Sequence, residues 1–220
     1  MRLHLLILLG LALSTPSLAV AEEAPTNAVH STLTSGHQRG EFTLSLRGGW
    51  PRLKIRAQVG AGRRLAPLVE LEVTPEWRLE PSLGLGISLA KSARGGIAVE
   101  VLAGWHLQYG TLAQRGPSGV VRIRGLLTGR VVGGWFAVGT RHTLLFDRTT
   151  LRSSSGTEVE WTPRHRWSPH IAGGVAFNLH PRVGLEVGLN MVFVDVEVID
   201  ISLPGFHASL IIGIPEKARP

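Results

Sequence analysis

The chain has 220 residues, a formal net charge of +7, 44% hydrophobic residues, 27 glycines and no cysteine. This length suits a single domain, and the lack of cysteine excludes both a disulfide framework and a lipid anchor on an N-terminal cysteine. Arginine and lysine are dispersed without a basic run, so the positive charge does not indicate nucleic acid as a partner.

The N-terminal stretch has the order of a secretory signal. Met1-Arg2 precedes the apolar residues 3–13, and Leu18-Ala19-Val20-Ala21 supplies small residues at a cleavage site. The pattern predicts a signal peptide over 1–21 and export through the Sec pathway. The polar residues 22–40 have no sustained period and predict a flexible lead. The domain is expected at 41–214, followed by a short tail at 215–220.

From Glu41 the chain alternates apolar and polar residues with a period of two, which is typical of strands with one apolar face. Beyond residue 21 no stretch is long and apolar enough for a membrane helix, so strands must carry the hydrophobic surface. A hairpin centred near Gly62 is predicted to place Lys54 opposite Glu70 and Arg52 opposite Glu72.

The middle of the chain continues this pattern with interruptions. Pro75 and Pro81 predict a break, residues 114–119 predict a turn, and Leu102 is the one apolar residue on a polar face. The strand-like segment 131–146 has large apolar residues on both parities, so its faces stay unassigned. Residues 149–163 are polar and predict an exposed loop, and residues 195–204 predict a second.

The clearest pattern spans Trp167 to Phe193. Apolar residues of one parity continue on both sides of His180-Pro181-Arg182, which predicts a hairpin that pairs Phe177 with Leu185 and Val175 with Val187. Each strand has eleven or more residues, and this length matches the roughly 9–11 that a tilted strand needs to cross a bilayer.

Short connections make the predicted sheet antiparallel and up-and-down, and a sheet with an apolar outer face must close in lipid. We therefore predict an all-β fold, a closed antiparallel β-barrel of eight to ten strands. The chain resembles the small outer-membrane β-barrel proteins of Gram-negative bacteria. The resemblance covers Glu41 to Ile214, with its dyad alternation and its brief turns, and the predicted signal peptide at 1–21 adds to it. The resemblance implies an integral outer-membrane protein. A soluble periplasmic lipocalin-like binding barrel, with the apolar face inward, is the alternative.

The polar parity is predicted to face the lumen, where nine charged residues would form a network. In a barrel of this size such a network fills the interior, which predicts a structural or surface-interaction role and no enzyme activity; a narrow ion-selective path is the other possibility. The nine residues are Arg52, Lys54, Arg56, Glu70, Glu72, Glu100, Arg122, Arg124 and Glu186.

One pattern suggests catalysis. His207 and Ser209 share a strand face, as a base and a nucleophile require. They loosely resemble the His-x-Ser pair of outer-membrane lipid A deacylases, although the Glu expected about a dozen residues later is missing, and a lipid hydrolase stays an alternative. No metal site or cofactor is predicted. The expected partners are outer-membrane lipid, lipopolysaccharide and the outer-membrane assembly machinery, and we expect a monomer.

Overall fold

The fold was analysed in a computed structural model of the chain. It describes residues 41–49, 52–61, 64–74, 78–92, 95–109, 113–129, 131–153, 156–194, 200–201 and 205–214. The predicted signal peptide, the lead at 22–40, the tail at 215–220 and most of the predicted loop at 195–204 lie outside these residues. The described part contains no helix long and apolar enough to cross a membrane.

Eleven strands make up the described structure, ten of them long and one with only two residues. Their bounds are β1 Phe42–Gly49, β2 Arg52–Val59, β3 Leu65–Thr74, β4 Arg78–Ser92, β5 Gly95–Gln108, β6 Gln114–Thr128, β7 Val132–Ser153, β8 Gly156–His180, β9 Val183–Val194, β10 Asp200–Ile201 and β11 Gly205–Ile214.

The ten long strands close into one antiparallel barrel. Sequential neighbours pair from β1 to β9, and β11 closes the ring by pairing with both β9 and β1. The two-residue β10 pairs only with the end of β9. The prediction of a closed up-and-down barrel of eight to ten strands is confirmed. The predicted hairpin around residue 181 is also confirmed, since Phe177 pairs with Leu185 and Val175 with Val187.

The barrel is inside-out relative to a soluble protein. Large apolar side chains line the outside, for example Leu83 with 66% of its surface exposed and Phe206 with 71%. Charged side chains line the inside, and Glu100 is 0% exposed. The soluble lipocalin-like alternative is not supported, because it requires the apolar face to point inward.

The predicted loop at 149–163 is instead a β-ribbon. β7 and β8 stay in register from Val132–Phe177 to Ser153–Gly156. Beyond Asp147, where pairing between β7 and β6 ends, the ribbon continues past its neighbours. The polar composition suggested a loop, but Val159 and Trp161 favour strands. Antiparallel pairing also satisfies the backbone hydrogen bonds of both strands.

Three local predictions were wrong. Pro81 lies inside β4, opposite Leu71, so β4 begins at Arg78 and brings Glu80 into the sheet. Residues 114–119 begin β6 rather than a turn. The hairpin of β2 and β3 is shifted by two residues, which places Arg56 opposite Glu70 and Lys54 opposite Glu72. Proline and glycine are tolerated here because tertiary pairing outweighs their local preference.

The structure also assigns the faces that the sequence left open. On β7, Trp135, Ala137 and Leu145 are buried in the lumen, while Phe136 and Val138 are exposed outside. Leu102 likewise points inward, where it packs with Leu68 and Val120 in a small apolar cluster. The lumen therefore contains apolar side chains beside its charged ones.

The outward parity can be tested at Val187, which is 42% exposed near the middle of β9. Val187→Arg should destabilise the barrel by ~2–4 kcal/mol, because it places a guanidinium in hydrocarbon. The measurement is urea-induced unfolding in lipid vesicles, with Val187→Leu as the matched control. If Arg and Leu were tolerated equally at this position, the assignment of the lipid-facing parity would be wrong.

Candidate functional site: the ion-pair network of the lumen

The lumen brings together all nine charged residues predicted from the sequence. Each of them lies on the inner face and takes part in at least one ion pair. The structure adds Arg47, Arg78, Glu80 and Arg141 to this set. We call these thirteen residues the lumen network.

Two neighbouring strands of opposite charge form one wall of the network. The inward positions of β2 are basic and those of β3 are acidic, so the hairpin places unlike charges side by side. Lys54 Nζ lies 3.0 Å from Glu70 Oε2 and 3.4 Å from Glu72 Oε2. Arg52 Nη1 lies 3.0 Å from Glu72 Oε1. The pairs predicted as direct opposites thus exist as diagonal contacts, because long side chains reach across the shifted register.

Glu100 is the most deeply enclosed carboxylate of the network. Arg56 donates two hydrogen bonds to it, from Nη2 to Oε1 at 2.6 Å and from Nη1 to Oε2 at 2.9 Å. Arg122 Nε donates a further hydrogen bond to Oε2 of the same carboxylate. This fork geometry fixes direction as well as distance, and it suits a buried ion pair better than a single contact would.

Arg141 connects nearly opposite walls. Its Nη2 donates to Glu72 Oε2 at 2.9 Å and its Nη1 to Glu80 Oε2 at 3.1 Å. Arg141 lies on β7 and Glu72 on β3, four strands apart in a ring of ten. Glu80 also receives hydrogen bonds from Arg78 Nη2 at 3.2 Å and Ser118 Oγ at 3.0 Å. These contacts occupy the space along the barrel axis.

A second group of ion pairs surrounds Glu186 on β9. Arg47 Nη2 lies 3.2 Å from Glu186 Oε2, and Arg124 Nη2 donates to Oε1. The guanidinium carbons of Arg47 and Arg124 lie 5.4 Å and 5.9 Å from the ring centre of Trp135. The indole ring is thus flanked by two cations, an arrangement that cation–π attraction stabilises.

Gly188 makes room for that indole. A Cβ at this position would lie 2.6 Å from Trp135 Cζ2 and 2.5 Å from the carbonyl oxygen of Gly173. From its parity alone Gly188 is a lumen position that should accept a small side chain. The contacts show that it does not, because the crowding atom of Gly173 belongs to the backbone.

Local patterns hid three of the four added residues, and the fourth, Arg47, could have been predicted. Arg47 shares the parity of the polar residues Thr43 and Ser45, so the alternation alone was sufficient to assign it to the lumen network. Arg78 and Glu80 fell within the break expected around Pro81. Arg141 follows Trp135 and Ala137 at the same parity, so its strand carried no clear polar face.

Burial of the lumen network is tolerated energetically because every carboxylate in it lies close to at least two cationic side chains. Removing an ion from water costs several kcal/mol, and only close pairing with further hydrogen bonds offsets that cost. Glu70, for example, contacts Lys54, Arg56 and Arg122. The loss of one carboxylate would therefore leave two or more cations of the lumen with fewer carboxylate partners.

The His207 and Ser209 pair also points into the lumen, where the two residues are 8% and 1% exposed. The His207 ring centre lies 5.2 Å from that of Trp135, and its Nε2 has no hydrogen-bond partner among the described residues. The nearest carboxylate across the strands is Glu186, opposite Ser209, and it is already paired with Arg47 and Arg124. A lipid chain outside the barrel has no access to this pair.

Histidines and acids of the described residues form no cluster that could hold a metal ion. His165 is exposed on the outer parity of β8, whereas His170 lies on the inner parity.

No protein-family model and no curated protein matches the sequence. Among solved structures, the fold is similar to the N-terminal β-barrel domain of Pseudomonas aeruginosa OprF, with 8% identity, 79% of this chain and 93% of that chain covered, and a TM-score of 0.33. It is similar to the translocator domain of the autotransporter NalP from Neisseria meningitidis, with 9% identity, 86% and 94% coverage, and a TM-score of 0.46.

A third similar structure is Ail, the attachment invasion locus protein of Yersinia pestis, in complex with the heparin analogue sucrose octasulfate. The identity is 12%, the coverage is 80% of this chain and 97% of that chain, and the TM-score is 0.29. The strand pairing of this chain by itself forms a closed antiparallel barrel. This confirms the predicted architectural resemblance to small outer-membrane β-barrels.

The importance of the network for stability can be tested at Glu100. Glu100→Gln should lower the free energy of unfolding by roughly 1–3 kcal/mol, because Arg56 and Arg122 would then share Glu70 as their remaining carboxylate partner. The midpoint of heat-induced unfolding on semi-native gels measures the effect. Glu160→Gln removes an exposed carboxylate of β8 and serves as the matched control. Equal midpoints for both variants would contradict the role assigned to the network.

Proposed function

We propose that the protein is an integral outer-membrane β-barrel that displays the β7–β8 ribbon at the cell surface. The single observation that carries this proposal is the combination of an apolar exterior, a lumen crossed by ion pairs and one hairpin that continues beyond its neighbours. The barrel acts as a rigid anchor, and the ribbon is the part that meets other molecules.

The exterior supports membrane insertion. Exposed apolar residues are found on nearly every strand of the barrel, and an aqueous environment would penalise so large a continuous apolar surface. Aromatic residues concentrate at the ribbon end, where Trp105, Tyr109 and Trp167 are 46%, 63% and 43% exposed. Tryptophan and tyrosine prefer the level of lipid headgroups, so these three residues suit one membrane interface.

The lengths of the connections suggest an orientation. At the end of the barrel where β1 begins and β11 ends, β8 and β9 are joined by a two-residue turn at Pro181 and Arg182. At the other end the β7–β8 ribbon extends outward. Outer-membrane barrels have short periplasmic turns and long extracellular segments, so we place the ribbon outside the cell.

The outer face near the ribbon also suits lipopolysaccharide. The Arg115 guanidinium carbon lies 4.0 Å from the ring centre of Trp161, and Arg115 and Arg148 are exposed nearby. A cation held beside an aromatic ring at the headgroup level can meet the phosphate groups of an anionic lipid. This contact belongs to the proposed anchoring role.

The orientation can be tested by labelling, since the chain has no cysteine of its own. In whole cells Thr157→Cys in the ribbon should react with a membrane-impermeant maleimide. Arg182→Cys in the opposite turn is the matched control, and it should react only after the outer membrane is permeabilised. Labelling of both positions in intact cells, or recovery of the protein in the soluble fraction, would contradict the proposal.

The filled lumen predicts a second property. In planar bilayers the purified protein should show no steady conductance of porin size, because Arg141 and its partners cross the lumen. Arg141→Ala removes these crossing contacts and should raise the frequency of open events. A large steady conductance of the unmodified protein would favour the narrow-channel alternative instead.

A further inference from the structure

A cavity of about 110 Å³ remains inside the lumen network. It has room for several water molecules or for one tetrahedral oxyanion. Nine Arg and Lys side chains line it but only two carboxylates, those of Glu70 and Glu72. The space is therefore strongly electropositive.

The ion pairs of the lumen network leave positive charge in excess. Five carboxylates, those of Glu70, Glu72, Glu80, Glu100 and Glu186, face eight Arg and Lys side chains. Because each of these carboxylates already has two or more cationic partners, the three surplus positive charges share acceptors with other cations. A buried surplus of this kind is costly unless an anion is bound close to it.

Several buried nitrogens that line the cavity have no hydrogen-bond partner among the described residues, including Arg78 Nε and the ring nitrogens of His106. Two further donors of this kind occur next to each other. They are Arg124 Nε and Trp135 Nε1, on residues that are 6% and 4% exposed. A buried donor without an acceptor destabilises the folded protein. The guanidinium of Arg47 lies beside the same indole ring, so these two donors lie close to two cations that share a single carboxylate, Glu186.

The wall that carries Trp135 leaves space open beside the indole ring. Ala137 and Ala172 border the cavity from β7 and β8, where longer side chains would fill it. The cavity therefore combines donors, positive charge and free volume, whereas its carboxylates are engaged in ion pairs. Neutral water would satisfy the donors but not the charge.

We propose that this cavity binds one small oxyanion, inorganic phosphate or sulfate, between Arg47, Arg124 and the indole N–H of Trp135. The guanidinium forks match the oxygen geometry of such an anion, and Trp135 supplies a neutral donor from the side. The site is independent of the surface role proposed above, since it lies inside the barrel.

Isothermal titration calorimetry tests this site with the full chain refolded in zwitterionic detergent. Phosphate and sulfate are titrated in a chloride background of matched ionic strength, and we expect saturable binding of one anion per barrel. Trp135→Phe keeps an aromatic ring but removes the indole N–H donor, so it should weaken anion binding about tenfold or more. Trp105→Phe changes an exposed tryptophan on the outer face and should leave the affinity unchanged.

A second variant separates binding from folding. Arg124→Lys keeps the charge and removes Nε, and it should weaken binding as Trp135→Phe does, with folding checked by the heat-induced shift on semi-native gels. If Arg124→Lys fails to fold, the Trp135→Phe titration alone decides. The absence of saturable heat for both anions, or unchanged affinity in Trp135→Phe, would overturn the site.

Discussion

The structure depends on pairing charge across a closed lumen. Once a chain puts its apolar side chains outside, its polar side chains are enclosed together, and each buried carboxylate needs cations close by. The contacts of Glu100 with Arg56 and Arg122 meet that need in the middle of the barrel. They join β2 to β5 and β6, so the ion pairs link β2 to strands with which it shares no backbone hydrogen bonds.

The same constraint links the lumen to the proposed surface role. A barrel whose walls are joined by Arg141 and Glu72 is braced from within, and a braced barrel can support a hairpin that has no neighbouring strands. The β7–β8 ribbon extends beyond that support, and its backbone pairing to the end of β7 keeps it ordered. Anchor and display element are thus parts of the same sheet.

The lumen is uneven in a way that matters for the cavity. Strands β2 to β6 contribute most of the charge, while β7 and β8 contribute Trp135, Ala137 and Ala172. Long cationic side chains therefore border the small and aromatic residues of β7 and β8 at the cavity, where these two strands contribute Arg141 and Arg166 but no carboxylate. The surplus of positive charge and the unfilled volume follow from the same asymmetry.

The period-two pattern was sufficient to predict the barrel, the hairpin at residue 181 and nine members of the lumen network, because alternation is a local property that places each side chain on one face. Register, by contrast, depends on pairing between strands, so only the tertiary structure shifted the β2–β3 hairpin by two residues and extended the ribbon. It also decided the faces of β7, since Trp135 is apolar yet lies among lumen cations. The cavity, too, could be found only in the tertiary structure, because it is the space left between side chains from nine strands.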